Sequence, residues 1–406
     1  MPNKRRIRRV VTVLLAAVFA GTPATAPAVA APAGIPTPEQ DSFYAPPAEL
    51  PAEPGAVIRS RTVTDLDFLT PLPAHAWQVL YRSTSALGQP VALSGTVLVP
   101  TTPWTAGPRP LVTFAFGGHG FAPHCAPSYK MRTDTEDQLD FIKLALAQGW
   151  AVVATDYERL GTPGPHTLGA GPSEGHAVLD AARAAQRLSD AGLRRDAPVG
   201  IAGYSQGGQA SAWAAELQPS YAPELDVRGT SSGGVMADVG EMAKTLDGGL
   251  ASGMELAVLV GHGSAYPDLD LDGVLNDAGR SMAARLSSSC LLELELEYSF
   301  RRLDDFTTVG DLLNTPLWRA RLDQDVLGRN TPRAPIMIYI GTLDEVVPVP
   351  RAEQLYHDYC ARGIPVTWRL MPLLNHRSAD RIGAHGAVDW LADRFAGAPV
   401  DNSCDK

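Results

Sequence analysis

The chain has 406 residues, 19% of them charged and 45% from the apolar set AVILMFWYC. That balance supports a buried core and excludes a disordered polymer, and the 38 glycines and 34 prolines carry no triplet period, which excludes collagen. The formal charge is −10. Removing the five cations of the first 31 residues takes it to about −15, a balance that argues against nucleic acid as a partner.

In chain order, Lys4, Arg5, Arg6, Arg8 and Arg9 precede a 12-residue apolar run from Val10 to Gly21, and Ala28-Val29-Ala30 then forms an A-x-A cleavage site. Twelve residues reach about 18 Å as a helix, short of the ~30 Å of a hydrocarbon core, so a cleaved signal peptide over 1–31 is expected rather than a membrane anchor. The Arg-Arg pairs leave general secretory and twin-arginine export both open, and a secreted, extracellular protein is expected. A Pro/Ala-rich extended arm follows, over 32–75. The runs Trp77–Ser83 and Val91–Val99, split by Leu87-Gly88-Gln89-Pro90, predict a hairpin. Strands and helices then alternate: strand Leu111–Phe116, helix Asp137–Gln148, strand Ala151–Thr155, helix Glu174–Leu188, strand Val199–Gly203 and helix Gln206–Leu217. The same rhythm returns with strand Pro335–Ile340, helix Arg351–Cys360, strand Val366–Leu370 and a closing helix Gly383–Phe395. Such alternation predicts an α/β fold with a mostly parallel sheet flanked by helices, its core at 76–217 and 331–406. Between these parts, 218–330 shows helical patterns (Asp238–Leu246, Met254–Val260, Gly273–Leu286) and few strand signals, which predicts an inserted helical cap.

Cysteines stand at 125, 290, 360 and 404. An even count in an exported chain favours two disulfides, for which sequence alone allows three pairings, and no pair has the C-x-x-C spacing of a zinc site.

The chemistry concentrates at Gly203-Tyr204-Ser205-Gln206-Gly207-Gly208, a G-x-S-x-G motif set between a strand and a helix. The serine of such a motif sits on a strained turn that leaves no room for flanking side chains, and the helix behind it points its amide end at a developing oxyanion. Ser205 is therefore the expected nucleophile. An acid and a base should follow in chain order. Asp344, just past strand Pro335–Ile340, is the expected acid, because open α/β sheets place their chemistry at the carboxyl ends of strands; the side chain of its neighbour Glu345 should point away. Of the histidines after Asp344, His357 lies inside a predicted helix and His385 near the start of another. His376 lies in the loop Met371–Arg377 and is the expected base, with His385 as the rival. The oxyanion donors should be the Gln206 amide and one from Phe116-Gly117-Gly118-His119-Gly120, either Gly118 or His119. His119 and His124 as metal ligands are the weaker reading, since no acid lies between them.

With these residues in place the chain resembles the secretory lipases of the Candida lipase A type, α/β-hydrolases with a helical cap. The similar stretches are Asp41-Ser42-Phe43-Tyr44-Ala45-Pro46-Pro47, Pro54-Gly55 with Arg59-Ser60-Arg61, Cys125-Ala126-Pro127-Ser128, Asp156-Tyr157-Glu158, the Ser205 motif, Gly341-Thr342-Leu343-Asp344 and Trp390-Leu391-Ala392-Asp393-Arg394-Phe395-Ala396-Gly397. The resemblance implies triacylglycerol or carboxylic-ester hydrolysis, the triad Ser205, Asp344 and His376, and the pairings Cys125–Cys290 and Cys360–Cys404. Two features depart from the fungal pattern. This chain has two residues after Cys404 where fungal members add a flap, and its oxyanion loop reads Gly-Gly-His-Gly. Both favour a small-ester carboxylesterase as the alternative.

Asp268-Leu269-Asp270-Leu271-Asp272-Gly273 looks like the start of an EF-hand loop, but Gly279 stands where the bidentate Glu belongs, so a helix-capping loop is the better account. The expectation is therefore a cofactor-free, metal-free secreted serine esterase or lipase. It should act on a small-molecule or lipid ester, touch a lipid interface transiently and work as a monomer. The cap residues Val235, Met236, Leu250, Met254 and Leu256 are candidates for an acyl pocket, although ordinary cap packing accounts for each. The rival functions are an acyltransferase, a secreted serine peptidase of the same fold and a catalytically silent binding protein.

Overall fold

The alternating runs on either side of Leu87–Pro90 pair as a hairpin, β2 (Ala74–Thr84) against β3 (Pro90–Pro100), in continuous antiparallel register from Ala74↔Pro100 to Thr84↔Pro90. The computed structural model containing them describes residues 34–64 and 66–405, so the predicted signal peptide lies outside the described residues. The segment expected as an extended arm contributes an edge strand, β1 (Val57–Val63), antiparallel to β2.

Next along the chain come β4 (Leu111–Ala115), α1 (Pro127–Arg132), α2 (Asp140–Ala147), β5 (Ala151–Thr155), α3 (Gly171–Arg187), β6 (Val199–Tyr204), α4 (Gln206–Tyr221) and β7 (Val227–Gly233). After the cap come β8 (Ile336–Gly341), α11 (Val349–Ala361), β9 (Val366–Met371) and α12 (His376–Phe395). The nine strands form one sheet in the order β1-β2-β3-β5-β4-β6-β7-β8-β9, parallel from β5 onwards. Strands β4, β5, β6 and β8 are buried throughout, and they read as unbroken runs because helices cover both faces. On one face Val79, Val97 and Ile201 pack against alanines of α3 and α4, including Ala181, Ala184 and Ala210. On the other, Val112, Phe114 and Val152 pack against Phe141 and Ile142 of α2 and Val388 and Leu391 of α12.

Two further expectations shift. The span 218–330 contains β7, a central strand, so the helical insertion begins after it. Its helices are α5 (Val239–Leu246), α6 (Ser252–Ala265), α7 (Leu271–Val274), α8 (Asp277–Leu286), α9 (Leu291–Tyr298) and α10 (Pro316–Gln324). The single helix predicted over Gly273–Leu286 is split because Asn276 caps α8, accepting from the Gly279 amide at 2.9 Å. The insertion shares its apolar core with the sheet: Val239, Met242, Leu246 and Leu256 join Ile336 and Ile338 of β8. The Asp268–Gly273 run forms short helical turns, with Asp268 paired to Arg321 at 2.9 Å.

The second shift is α12, which starts at His376 rather than Gly383. Asn375 caps it, accepting from the Ser378 amide at 2.9 Å. Disulfides join Cys125 to Cys290 and Cys360 to Cys404. Among the described residues no helix is long and apolar enough to cross a membrane.

Candidate active site

The nucleophile turn follows from steric limits. β6 ends in the middle of the sheet and α4 begins at once, leaving one residue to reverse the chain. Ser205 takes that position with φ 59° and ψ −120°, a conformation L residues avoid and one that costs about 1–3 kcal/mol. Its amide donates to the Gly233 carbonyl at 2.9 Å. A Cβ on Gly207 would lie 1.9 Å from the Ala115 carbonyl oxygen, so α4 reaches the sheet this closely only with glycine there.

Ser205 Oγ lies 2.9 Å from His376 Nε2. His376 Nδ1 lies 2.8 and 3.0 Å from the two Asp344 carboxylate oxygens, so Nδ1 carries the proton and Nε2 is free to accept from the serine. Asp344 is fixed in turn: its Oδ1 accepts from the amides of Val346 at 3.1 Å and Val347 at 2.8 Å. The three side chains come from the ends of β6, β8 and β9, on the carboxyl side of the parallel sheet.

The position of His376 is over-determined. It is the first residue of α12, its amide donates to Glu345 Oε2 at 3.0 Å, and its carbonyl accepts from Tyr204 Oη at 2.8 Å. The Glu345 side chain thus turns toward the His376 backbone, contrary to the expectation that it points away. His385, the rival base, is exposed on α12 nine residues further on, about 13 Å along the axis, and His357 is exposed on α11 against Tyr356.

The loop after β4 forms one wall of the cleft. The amides of Gly118, His119 and Gln206 have no hydrogen-bond partner among the described residues. Gly118 sits against Gln206, since a Cβ on it would lie 3.7 Å from Gln206 Oε1. The His119 ring is turned back from the cleft toward Glu136, and the His119 carbonyl accepts from the Leu291 amide at 3.0 Å. Behind Gln206 its side-chain amide donates to buried Glu174 at 2.7 Å. Burial raises that carboxyl to about pH 8 against the pull of the Gln206 hydrogen bond, so it is neutral at pH 7.

Ser205 and His376 open onto a cleft of about 500 Å³. Met254, Leu291, Leu292 and Val346 supply its apolar lining, while Lys130, Asp137, Arg377 and Asp380 supply a charged part. Burial lifts the Asp380 carboxyl to about 6. Of the five cap residues considered for an acyl pocket, only Met254 lines this cleft; Val235, Met236 and Leu256 belong to the buried core, and Leu250 is exposed. Sequence reasoning missed Glu136, Gln138 and Glu174 as supports of the site. Glu136 and Gln138 lie on an irregular segment without a motif, and Glu174 reads as one polar residue on an Ala-rich helix.

The family model described as secretory lipase matches residues 127–403. A protein of Mycobacterium tuberculosis called a probable inactive lipase is 35% identical over 378 residues, covering 89% of this chain and 83% of its own. The secreted triacylglycerol lipase LIP4 of Malassezia globosa is 32% identical over 385 residues, covering 90% of this chain and 83% of its own. Among solved structures, Candida antarctica lipase A in its closed state superposes with a TM-score of 0.82 at 29% identity, over 90% of this chain and 88% of that one.

Proposed function

Because the chain belongs to the secretory lipase family, we propose that Ser205, His376 and Asp344 give it serine carboxylic-ester hydrolase activity of the lipase/esterase type. The observation that carries this reading is the hydrogen-bonded series Ser205 Oγ–His376–Asp344 at the floor of an open cleft. In the first step Ser205 Oγ attacks the ester carbonyl carbon while His376 Nε2 takes the serine proton. Asp344 holds the ring and stabilises the imidazolium. The oxyanion accepts from the Gln206 amide and from Gly118 or His119. The tetrahedral adduct then expels the alcohol, protonated by His376, and leaves an acyl-serine. Water activated by His376 cleaves that acyl-enzyme in a second pass; an alcohol in its place would make the product an ester. None of these steps calls for a cofactor or a metal.

The expected substrate is an acylglycerol or another carboxylic ester, with its acyl chain against Met254, Leu291 and Leu292. Exposed Leu292 and Leu296 on α9, with exposed Leu343 and Leu373 beside Asp344 and His376, support transient contact with a lipid interface. A small-ester carboxylesterase is the alternative, favoured by the charged side of the cleft. The protein acts outside the cell and without nucleic acid, a reading supported by the leader, the two disulfides and the acidic charge balance, and a monomer is the expected state.

Hydrolysis of p-nitrophenyl esters from C2 to C16, with Ser205→Ala as control, tests this. A maximum at C8 or longer that vanishes in the variant supports a lipase, and a maximum at C2–C4 that vanishes supports the alternative. Activity that survives Ser205→Ala, or a wild type silent on every ester, refutes the assignment.

A further inference from the structure

The oxyanion loop is held by a closed ring of hydrogen bonds that the triad does not explain. His119 Nδ1 lies 2.8 Å from the Gly117 carbonyl oxygen, and His119 Nε2 lies 2.8 Å from Glu136 Oε2. The other Glu136 oxygen, Oε1, accepts from the Gln138 amide at 2.9 Å. Gln138 Oε1 accepts from the Gly117 amide at 2.8 Å and closes the ring. Both backbone polar groups of Gly117 are thereby tied to one carboxylate, immediately before the unpaired amides of Gly118 and His119. The side chains of His119 and Glu136 are 2% and 0% exposed, so water supplies neither with an alternative partner.

The ring also fixes a protonation state. A carbonyl oxygen only accepts, so Nδ1 must bear hydrogen. Glu136 Oε1 accepts from the Gln138 amide, and Oε2 faces His119 Nε2 and, at 3.8 Å, the Lys130 ammonium, so both oxygens meet donors and neither is placed to carry a proton. A carboxylate also only accepts, so Nε2 must bear hydrogen too. The charged groups in reach are Lys130, 3.8 Å from Glu136, and the buried Asp156. His166, the neighbouring imidazole, is neutral, because burial lowers it to about 4.

We propose that His119 and Glu136 form a buried imidazolium–carboxylate clamp that positions the Gly117–Gly120 loop and holds a fixed positive charge behind it. His119 and Glu136 are positioning residues through their side chains, whichever loop amide touches the oxyanion. The catalytic half of the proposal rests on the ester-hydrolase reading above; the protonation half does not.

Two measurements on the full chain test it. The first is a long-range ¹H–¹⁵N spectrum of ¹⁵N-histidine-labelled protein at pH 8, with the His119 signals assigned from their loss in His119→Gln. Two proton-bearing ring nitrogens are expected, and one bare nitrogen overturns the clamp. The second is ester kinetics of Glu136→Gln and Glu136→Asp, checked for folding by circular dichroism. Losing one oxyanion donor outright costs roughly 100- to 1000-fold in kcat. A displaced loop should therefore cost Glu136→Gln about 10- to 100-fold in kcat with KM within about twofold, and Glu136→Asp should recover part of the rate. A folded Glu136→Gln with the wild-type kcat, or with the loss confined to KM, overturns the positioning role. If Glu136→Gln fails to fold, the wild-type spectrum still decides the clamp. A wild type inactive on every ester but with a doubly protonated His119 refutes the hydrolase reading and, with it, the catalytic half alone.

Discussion

Opening each disulfide separately distinguishes a bridge that holds the site from one that holds only the fold. Cys125–Cys290 closes a loop with a sequence separation of 165, and Cys360–Cys404 one of 44. Loop-closure entropy then predicts losses of about 5 and about 4 kcal/mol, model-dependent values large against a typical net stability of 5–15 kcal/mol. The two losses are similar, but the surroundings are not. Cys125 follows the oxyanion loop, and Cys290 caps α9, whose Leu291 lines the cleft. Next to the bridge, the Phe121 amide donates to the Ser289 carbonyl and the Leu291 amide to that of His119, each at 3.0 Å. Cys360–Cys404 ties the end of α11 to the C-terminal segment, and neither cysteine lines the cleft. The Cys125→Ala/Cys290→Ala protein should therefore lose stability and also at least about tenfold in kcat, as expected when a loop that carries an oxyanion donor loosens. Cys360→Ala/Cys404→Ala should lose comparable stability and keep kcat within about twofold. Urea unfolding gives the first quantity. Ester kinetics, at a temperature where circular dichroism shows both proteins folded, give the second. Equal kcat in the two folded variants would refute the coupling of this bridge to the oxyanion loop.

Ser205→Ala and His376→Ala should each abolish turnover to within background, a loss on the order of 10⁶ in kcat, while melting temperatures stay near wild type. Gly207→Ala should fail to fold or lose several kcal/mol, because the added methyl meets the rigid Ala115 carbonyl at 1.9 Å; a soluble, fully active variant would show that α4 can shift. Glu174 sets a pH dependence of stability. Burial lifts its carboxyl to about 8 in the folded chain from an ordinary 4.5 in the unfolded one, so its stabilising contribution is complete below 4.5 and is lost as pH rises toward 8. At about 1.4 kcal/mol per pH unit, the loss between pH 5 and 8 is roughly 3–4 kcal/mol. Glu174→Gln keeps the acceptor for Gln206 and removes the titration, so the difference in stability between wild type and variant should change by that amount across the interval. Urea unfolding at both pH values checks this, and a pH-independent difference would mean the carboxyl is already ionised at pH 5.

What was legible in the sequence divides along a physical line. The hairpin, the buried parallel strands and the Ser205 motif are local signals: side-chain period, apolar runs and a turn that only certain residues can make. The elements that escaped notice take their character from neighbours distant in the chain. β7, Val-Arg-Gly-Thr-Ser-Ser-Gly, has one apolar residue and no strand signature, yet it lies between β6 and β8 with Ser231 and Ser232 fully buried. Its small residues are required from outside, since a Cβ on Gly233 would lie 2.2 Å from the Tyr339 ring, and the Gly233 carbonyl receives the Ser205 amide. A bulkier, more strand-like β7 would therefore displace the nucleophile. Likewise β1 reads as part of an arm because an edge strand needs only one partner, and its half-buried Arg59 and Arg61 find theirs in Ser42, Asp41 and Gln78, which the sequence does not place beside them. The site divides in the same way. Ser205, Asp344 and His376 were marked by their places relative to strand ends, whereas Glu136, Gln138, Glu174 and Glu345 act by holding backbone or side chains of other site residues, and only the fold reveals what they touch. The groups that perform the proposed chemistry stand where topology dictates; those that hold them need only come within hydrogen-bond reach, a condition that leaves no fixed spacing in the chain.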